Sequence, residues 1–159
     1  MIKKVVLWIL VITCAGTIFY FSSQPARESD NTSEGFIVTL IKLFDVRDAF
    51  SQSEIEEIAA SLNGPIRTLA HFGIYAVLGF LIALLLNEYA LIYPNTIFYS
   101  VLSSFLYACT DELHQNFVAG RSAQIEDIVT DTLGSLCGAL FAIIVIVLVK
   151  NYKKNHTVN

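Results

Sequence analysis

Residues 128–149 read IVTDTLGSLCGALFAIIVIVLV, and their one charged side chain is that of Asp131. A helix needs about 20 mostly apolar residues to cross the hydrocarbon core of a bilayer, so this stretch predicts a membrane-spanning helix. Gly134, Gly138 and Ala142 recur at every fourth position. Such a stripe of small side chains permits close packing against another helix.

Three more stretches satisfy the same requirement for a membrane span. The chain is 55% hydrophobic and only 15% charged, and its mean hydropathy of +0.61 is too high for an ordinary soluble globule. The predicted fold is therefore all-α: a single-domain (1–159), polytopic membrane four-helix bundle. Its predicted spans are 5–21, 69–86, 91–110 and 128–149. We expect the membrane part of the third span to begin near Pro94, because proline is tolerated in the first turn of a helix.

The N-terminal segment has the basic start and apolar body that signal peptides and uncleaved anchors share. Residues 5–21 are longer than a usual signal-peptide core and contain no Ala-x-Ala exit, and Thr13 before Cys14 does not fit a lipoprotein site. These features favour an uncleaved anchor with its N-terminus in the cytoplasm.

The distribution of lysine and arginine sets the predicted orientation. The inner segments then hold Lys3, Lys4, Lys150, Lys153 and Lys154. The outer segments hold Arg27, Lys42, Arg47, Arg67 and Arg121. All acids except Glu88 fall on the outer side, so the inner side is basic. The positive-inside rule is satisfied with both termini cytoplasmic.

The long outer loop, residues 22–66, carries amphipathic patterns that predict partial helicity. Apolar residues of 35–44 form one helical stripe, which suits a helix lying on the membrane or on the bundle. A second helix is predicted from the capping-box pattern of Ser53 and Glu56, and Asn-Gly-Pro at 63–65 is expected to end it.

Composition also excludes several classes of partner and site. The formal net charge is -4, so there is no broad basic surface for a nucleic acid. Cys14, Cys109 and Cys137 are widely spaced within apolar runs, which fits neither a zinc site nor a disulfide framework. We interpret the cysteines as small packing residues.

A polar face is predicted where the second span begins. Arg67, His71 and Tyr75 recur every four residues and so share one side of a helix that runs from the outer surface into the membrane. Ionisable groups at such depths are costly and are candidates for function. The alternative is that Arg67 and Tyr75 anchor the helix at the interface while His71 bonds to a backbone carbonyl.

The end of the third span carries five polar groups: Tyr107, Asp111, Glu112, His114 and Gln115. The spacing predicts Asp111 beside His114, where a carboxylate can fix the imidazole tautomer for proton transfer or nucleophilic attack. The structural alternative is that the end of a membrane helix is wet and therefore polar.

A third cluster surrounds the start of the fourth span. Arg121 follows a flexible Ala-Gly pair and suits bidentate binding of a phosphate, although an internal salt bridge to Asp127 or Asp131 is equally consistent with the charges. Asp131 is expected to face protein, with His71, His114 or Arg121 as its partner. The acids could hold a divalent cation with His114, but no metal-binding spacing supports this, and no cofactor is predicted.

The motifs in these clusters resemble those of the VanZ family of bacterial membrane proteins. The resemblance extends from Phe21 to about Ala142. It is carried by Phe21-Ser22-Ser23-Gln24, Arg67, Ala70-His71-Phe72, Tyr75, Asp111-Glu112-Leu113-His114-Gln115, Phe117, Gly120-Arg121 and Asp127.

The resemblance implies a role at the bacterial cell envelope, in the plasma membrane, and a link to glycopeptide (teicoplanin) resistance, with which the founding member is associated. A kinship with lipid head-group enzymes, proposed for the family, rests on the same polar positions. The candidate residues carried over are Gln24, Arg67, His71, Asp111, Glu112, His114, Gln115, Arg121 and Asp127.

Two hypotheses of function follow. In the first, the protein is an enzyme that acts on a lipid-linked phosphate at the outer leaflet. Arg67 and Arg121 hold the phosphate, His114 oriented by Asp111 is the base or nucleophile, and His71 is the acid. In this hypothesis, losing the His114 side chain abolishes activity.

In the second hypothesis, the protein binds an antibiotic, a cell-wall precursor or another membrane protein without catalysis. Replacing 35–62 with a flexible linker then cripples the protein, whereas a catalyst survives it. A channel or transporter is less consistent with polar residues gathered at one face. The sequence leaves open whether the small-residue stripe packs within one chain or between two.

Overall fold

The computed structural model describes residues 1–44 and 50–156. All regular structure in these ranges is helical, which confirms the all-α class. Arg47, one of the cations assigned to the outer segments, lies outside the described residues. The helices are α1 (Ile2–Ser22), α2 (Ala26–Phe44), α3 (Gln52–Asn87), α4 (Tyr93–Gln115) and α5 (Ile125–His156).

Three helices of the described part, α1, α3 and α5, are long and apolar enough to cross a membrane. They contain the predicted spans 5–21, 69–86 and 128–149. The predicted span at 91–110 falls largely in α4, which begins at Tyr93 with Pro94 in its first turn but does not reach the same apolarity. Buried hydroxyl side chains along α4 explain the difference. They belong to Thr96, Ser100 and Ser104.

The loop 22–66, predicted to lie outside, contains more helix than the sequence predicts. Besides 35–44, residues 26–34 are helical, and the Ala26 N–H at the start of α2 donates to the Ala119 carbonyl at 3.1 Å. The predicted capping box is wrong by two residues. Ser51 and Glu54 form it instead: the Glu54 N–H donates to the Ser51 hydroxyl at 3.4 Å, and the Ser51 N–H donates to the Glu54 carboxylate at 2.8 Å.

The predicted helix end at 63–65 is also wrong, because α3 continues through Pro65 to Asn87. An interior proline removes one backbone hydrogen bond and crowds the preceding turn. Packing on both sides of Pro65 offsets this local cost. Ile55 and Ala59 are buried before it, and Tyr75 is fully buried after it.

The closest helix contact joins α3 and α5 through the small-residue stripe. A Cβ atom added to Gly138 would lie 1.8 Å from the Ala76 carbonyl oxygen, and one added to Gly134 would lie 2.3 Å from that of Phe72. Only glycine allows the two backbones to approach so closely. The stripe therefore packs within this chain.

Lysines and one acid meet at the end of the bundle where α1 begins and α3 ends. Lys3 forms an ion pair with Glu88, and its hydrogen bond lowers the pKa of that carboxyl. The Lys150 ammonium donates to the Asn87 side chain at 3.3 Å. The predicted polar clusters all lie toward the opposite end, where α1 and α4 end and α5 begins.

Candidate functional site

A cavity of about 320 Å³ lies near the end of α1, with walls from α1, α2, α3 and the segment between α4 and α5. Its polar lining consists of Ser22, Gln24, Ser29, Thr32, Ser33, Arg67, His71 and Arg121. Its apolar lining consists of Ile18, Phe21, Phe36, Ile66, Ala70 and Ile74. The cavity therefore combines cations, hydroxyl groups and an apolar wall.

The two arginines of the cavity have no carboxylate partner among the residues that the structure describes. Arg121 is held by neutral acceptors, since Nη1 donates to the Gln115 amide oxygen at 3.1 Å and Nη2 donates to the Phe21 carbonyl at 3.3 Å. Its buried Nε has no partner. The alternative of a salt bridge from Arg121 to an acid of α5 is not formed.

Arg67 and Arg121 line the same cavity, and their charges interact. Burial, followed by the positive charge of Arg67, lowers the pKa of the Arg121 guanidinium. The charges of Asp111, Glu112 and Asp30 oppose this effect, but none of these carboxylates forms an ion pair with Arg121, so an anion bound between the two cations would be attracted to both. Guanidinium groups bind phosphate and carboxylate oxygens bidentately, so the pair forms a candidate anion site.

The third ionisable group of the cavity, His71, is paired with a buried acid. Its Nδ1 lies 3.5 Å from Oδ1 of Asp131, and the Asp131 side chain is fully buried. Asp131 faces protein as expected, and His71, one of its three expected partners, is the ionisable group in contact with it. A carboxylate at Nδ1 leaves Nε2 as the nitrogen available for proton transfer and stabilises the protonated ring.

Tyr75, predicted on the same face as Arg67 and His71, does not line the cavity. Its side chain is fully buried, its hydroxyl has no hydrogen-bond partner, and its ring lies 6.3 Å from that of Tyr107. A direct contact between Tyr75 and a ligand in the cavity is therefore not supported. Tyr75 instead belongs to a hydrophobic cluster of the bundle interior with Ile18, Leu78 and Ala108.

Asp111 and His114, predicted side by side, form no direct hydrogen bond or ion pair in the described part of the chain. Asp111 Oδ2 accepts hydrogen bonds from the Ser22 hydroxyl at 2.7 Å and the Gln115 amide at 3.3 Å, and Oδ1 has no partner. Because Gln115 also holds Arg121, the three side chains form one chain of contacts. Asp111 thereby supports the position of Arg121, a role that the spacing along α4 alone cannot reveal.

His114 lies outside the cavity lining. Its Nε2 is 3.2 Å from the Ser23 hydroxyl, and its ring stacks on Phe19 with centroids 4.8 Å apart. Ser23 adjoins Ser22, yet only Ser22 lines the cavity. Of the two imidazoles that the sequence interpretation assigned to one mechanism, only that of His71 therefore lines the cavity.

The remaining predicted residues have supporting positions. Glu112 is buried and accepts the Gln124 N–H at 2.8 Å, which fixes the segment that carries Arg121. Asp127 lies in the first turn of α5, where a negative charge is favourable. Gln24, one of the candidates carried over from the family resemblance, lines the cavity, and its role as a substrate-binding residue stays a prediction.

Sequence reasoning missed the hydroxyl groups that α2 contributes. Ser29, Thr32 and Ser33 recur at the spacing i, i+3, i+4, which is a helical stripe. This spacing is visible in the sequence, but it places the three hydroxyl groups on one face only if residues 26–34 are helical.

We searched the described part of the chain for side chains that could bind a metal ion together. There, no three His, Cys, Asp or Glu side chains lie together in a way that could hold an ion. The chemistry available at the cavity is anion binding by guanidinium groups and proton transfer by an imidazole.

Comparison with known proteins places the chain in a family. Searches of curated proteins and of solved structures found no match. A family model, VanZ/LLP1, matches residues 7–147, which include every residue that lines the cavity. The residues of the anion site and the histidine–aspartate pair thus lie within the matched region, and the chain belongs to the VanZ/LLP1 family.

Proposed function

We propose that this envelope membrane protein is an enzyme that acts on a lipid-linked phosphate at the outer leaflet of the plasma membrane. The main support is that one cavity, with a partly apolar wall, is lined by two guanidinium groups that form no ion pair among the described residues and by a histidine that contacts an aspartate. The cations suit the phosphate, and the apolar wall suits the attached lipid.

In the proposed reaction, Arg67 and Arg121 bind the phosphoryl oxygens and neutralise the charge that develops on them. His71 takes a proton from the attacking water or hydroxyl as the new P–O bond forms. The P–O bond to the leaving group breaks, and the departing alkoxide takes that proton from His71. Asp131 stabilises the imidazolium between these two steps.

The assignment of proton transfer to His71 revises the role given to His114. Of the two histidines, His71 lines the cavity and has a carboxylate partner within 4 Å, whereas His114 has neither feature in the described part of the chain. The same site can account for a link to glycopeptide resistance, because a change in an envelope lipid phosphate alters the precursors available at the outer surface. Lipid extracts of a deletion strain and a complemented strain test the proposal, since only the complemented strain should convert the substrate.

Removing either cavity arginine should weaken binding of a lipid phosphate by about 10- to 100-fold, because each substitution removes charge-assisted hydrogen bonds. The variants are Arg67→Ala and Arg121→Ala. Binding of dioctanoyl phosphatidic acid to the purified protein in detergent micelles measures the effect. Arg27→Ala is the matched control, since Arg27 is exposed on α2 and does not line the cavity. Equal affinities of Arg67→Ala and Arg27→Ala would contradict the anion site.

The proposal also requires that α4 crosses the bilayer, giving four spans and cytoplasmic termini. The basic residues near the start of α1 and the end of α5 support this orientation. Asn95 and Asn116 are exposed at opposite ends of α4. In a variant without native cysteines, we expect a membrane-impermeant maleimide to label Asn116→Cys in intact cells and Asn95→Cys only after permeabilisation. Labelling of both in intact cells would refute the crossing.

A further inference from the structure

The α2 side of the cavity carries three hydroxyl groups beside the ring of Phe36. Ser29, Thr32 and Ser33 line it together with Gln24, which lies just before α2. This wall differs from the α3 wall, where Arg67 and His71 are found. A ligand that occupies the whole cavity therefore meets cations on one side and neutral polar groups on another.

Two of the hydroxyl groups donate their protons to carbonyl groups of their own helix. Thr32 Oγ1 donates to the Glu28 carbonyl at 2.8 Å, and Ser33 Oγ donates to the Ser29 carbonyl at 3.1 Å. A hydroxyl has one proton to donate and two lone pairs that accept. Since both protons are committed to the helix backbone, the lone pairs remain available. The wall is thus suited to accept hydrogen bonds from O–H groups of a ligand.

The cavity offers nothing to a positively charged head group. None of the residues that line it is an aspartate or a glutamate. Asp131 is fully buried behind His71, and Asp111 is buried and accepts from Ser22 and Gln115. An ammonium group in the cavity would meet the two guanidinium groups of the lining and no carboxylate of the lining, which is unfavourable. Zwitterionic lipids with an ammonium group are therefore poor ligands.

We propose that the site is selective for an anionic lipid whose phosphate carries a neutral, hydroxyl-rich group, a glycerol or a sugar-like polyol. Ser29, Thr32, Ser33 and Gln24 bind the hydroxyl groups while the two arginines bind the phosphate. This inference rests on the proposed function, since it names the substrate class of the same cavity. The specificity then comes from α2 and the charge recognition from α3 and the segment before α5.

The experiment compares four dioctanoyl lipids on the purified full-length protein in detergent micelles. Phosphatidylglycerol and phosphatidylinositol carry a glycerol and a cyclic polyol, phosphatidic acid carries the phosphate alone, and phosphatidylethanolamine carries an ammonium group. We expect at least one polyol lipid to bind about tenfold more tightly than phosphatidic acid, from a few neutral hydrogen bonds. Phosphatidylethanolamine should bind most weakly. The two polyol lipids show which source of hydroxyl groups fits.

The variant Ser29→Ala/Thr32→Val/Ser33→Ala tests the hydroxyl wall directly. Its affinity for the preferred polyol lipid should fall to that for phosphatidic acid, while its affinity for phosphatidic acid stays unchanged and reports an intact site. Thr39→Val is the matched control, because Thr39 on α2 also donates to a helix carbonyl but does not line the cavity. If the triple variant loses all binding, Thr32→Val and Ser33→Ala alone must still reduce the polyol preference.

The outcomes separate this inference from the proposed function. Equal affinity of the wild type for phosphatidic acid and both polyol lipids overturns the polyol selectivity but leaves the phosphate site in place. Failure of the wild type to bind any of the anionic lipids more tightly than phosphatidylethanolamine refutes the phosphate site itself. An unchanged polyol preference in the triple variant assigns the selectivity to residues other than the α2 hydroxyl groups and also overturns the inference.

Discussion

Gly138→Ala should lower the free energy of unfolding by about 3 kcal/mol, the upper end of the usual cost of overpacking. The added Cβ would lie 1.8 Å from the carbonyl oxygen of Ala76. That oxygen belongs to the backbone of α3, so no side chain can rotate away and the two helices must separate. Because His71 is on α3 and Asp131 is on α5, this separation should also disturb their pairing.

The matched control for this variant is Gly73→Ala. Gly73 is on α3 as well, but a Cβ added there meets no atom within 4 Å. Alanine is a better helix former than glycine by roughly 1 kcal/mol, so this variant should be neutral or more stable. Unfolding of both proteins in detergent micelles measures the difference. Equal stability of the two variants would show that α3 and α5 do not approach as closely as described.

His71→Gln should reduce turnover of the lipid substrate by about 10²- to 10⁴-fold, the usual contribution of a positioned acid–base group. Glutamine keeps a polar side chain but cannot cycle a proton. His114→Gln is the informative comparison, because His114 lies outside the cavity and contacts Ser23 and Phe19. We expect its turnover to remain within tenfold of the wild type.

Turnover is measured on the envelope lipid that distinguishes extracts of the deletion and complemented strains. Binding of phosphatidic acid to His71→Gln should persist, because the two arginines remain, and this shows that the site is intact. If His114→Gln is the inactive variant and His71→Gln is active, the original assignment of His114 is correct. If both variants protect against teicoplanin as well as the wild type does, the non-enzymatic binding hypothesis is favoured.

Much of the site was predictable because its residues are unusual for their surroundings. An arginine, a histidine and an aspartate at the ends of apolar stretches are costly, so their presence alone indicated function. The spacing of Arg67 and His71 placed them on one helical face, and both line the cavity. The buried position of Asp131 followed from the glycine stripe on its own helix.

The errors arose where contacts between helices compete with patterns within one helix. Asp111 and His114 are close along α4, but Ser22 of α1 takes the carboxylate. Ser51 and Ser53 both begin a capping-box pattern, and the helix starts at the earlier one. The sequence contains both possible partners of Asp111 and both possible capping serines, and it does not show which of each pair the folded chain uses.

The sequence by itself determined that the chain is an all-helical membrane protein and which ionisable residues are unusual. Both follow from the number of apolar side chains and their spacing along single helices, which the hydrophobic effect makes decisive. Tertiary structure decided that Asp131 pairs with His71, that Arg121 lacks a carboxylate partner, and that α2 adds hydroxyl groups to the cavity. These contacts join residues far apart in the chain. They depend on how the helices pack, which local spacing does not encode.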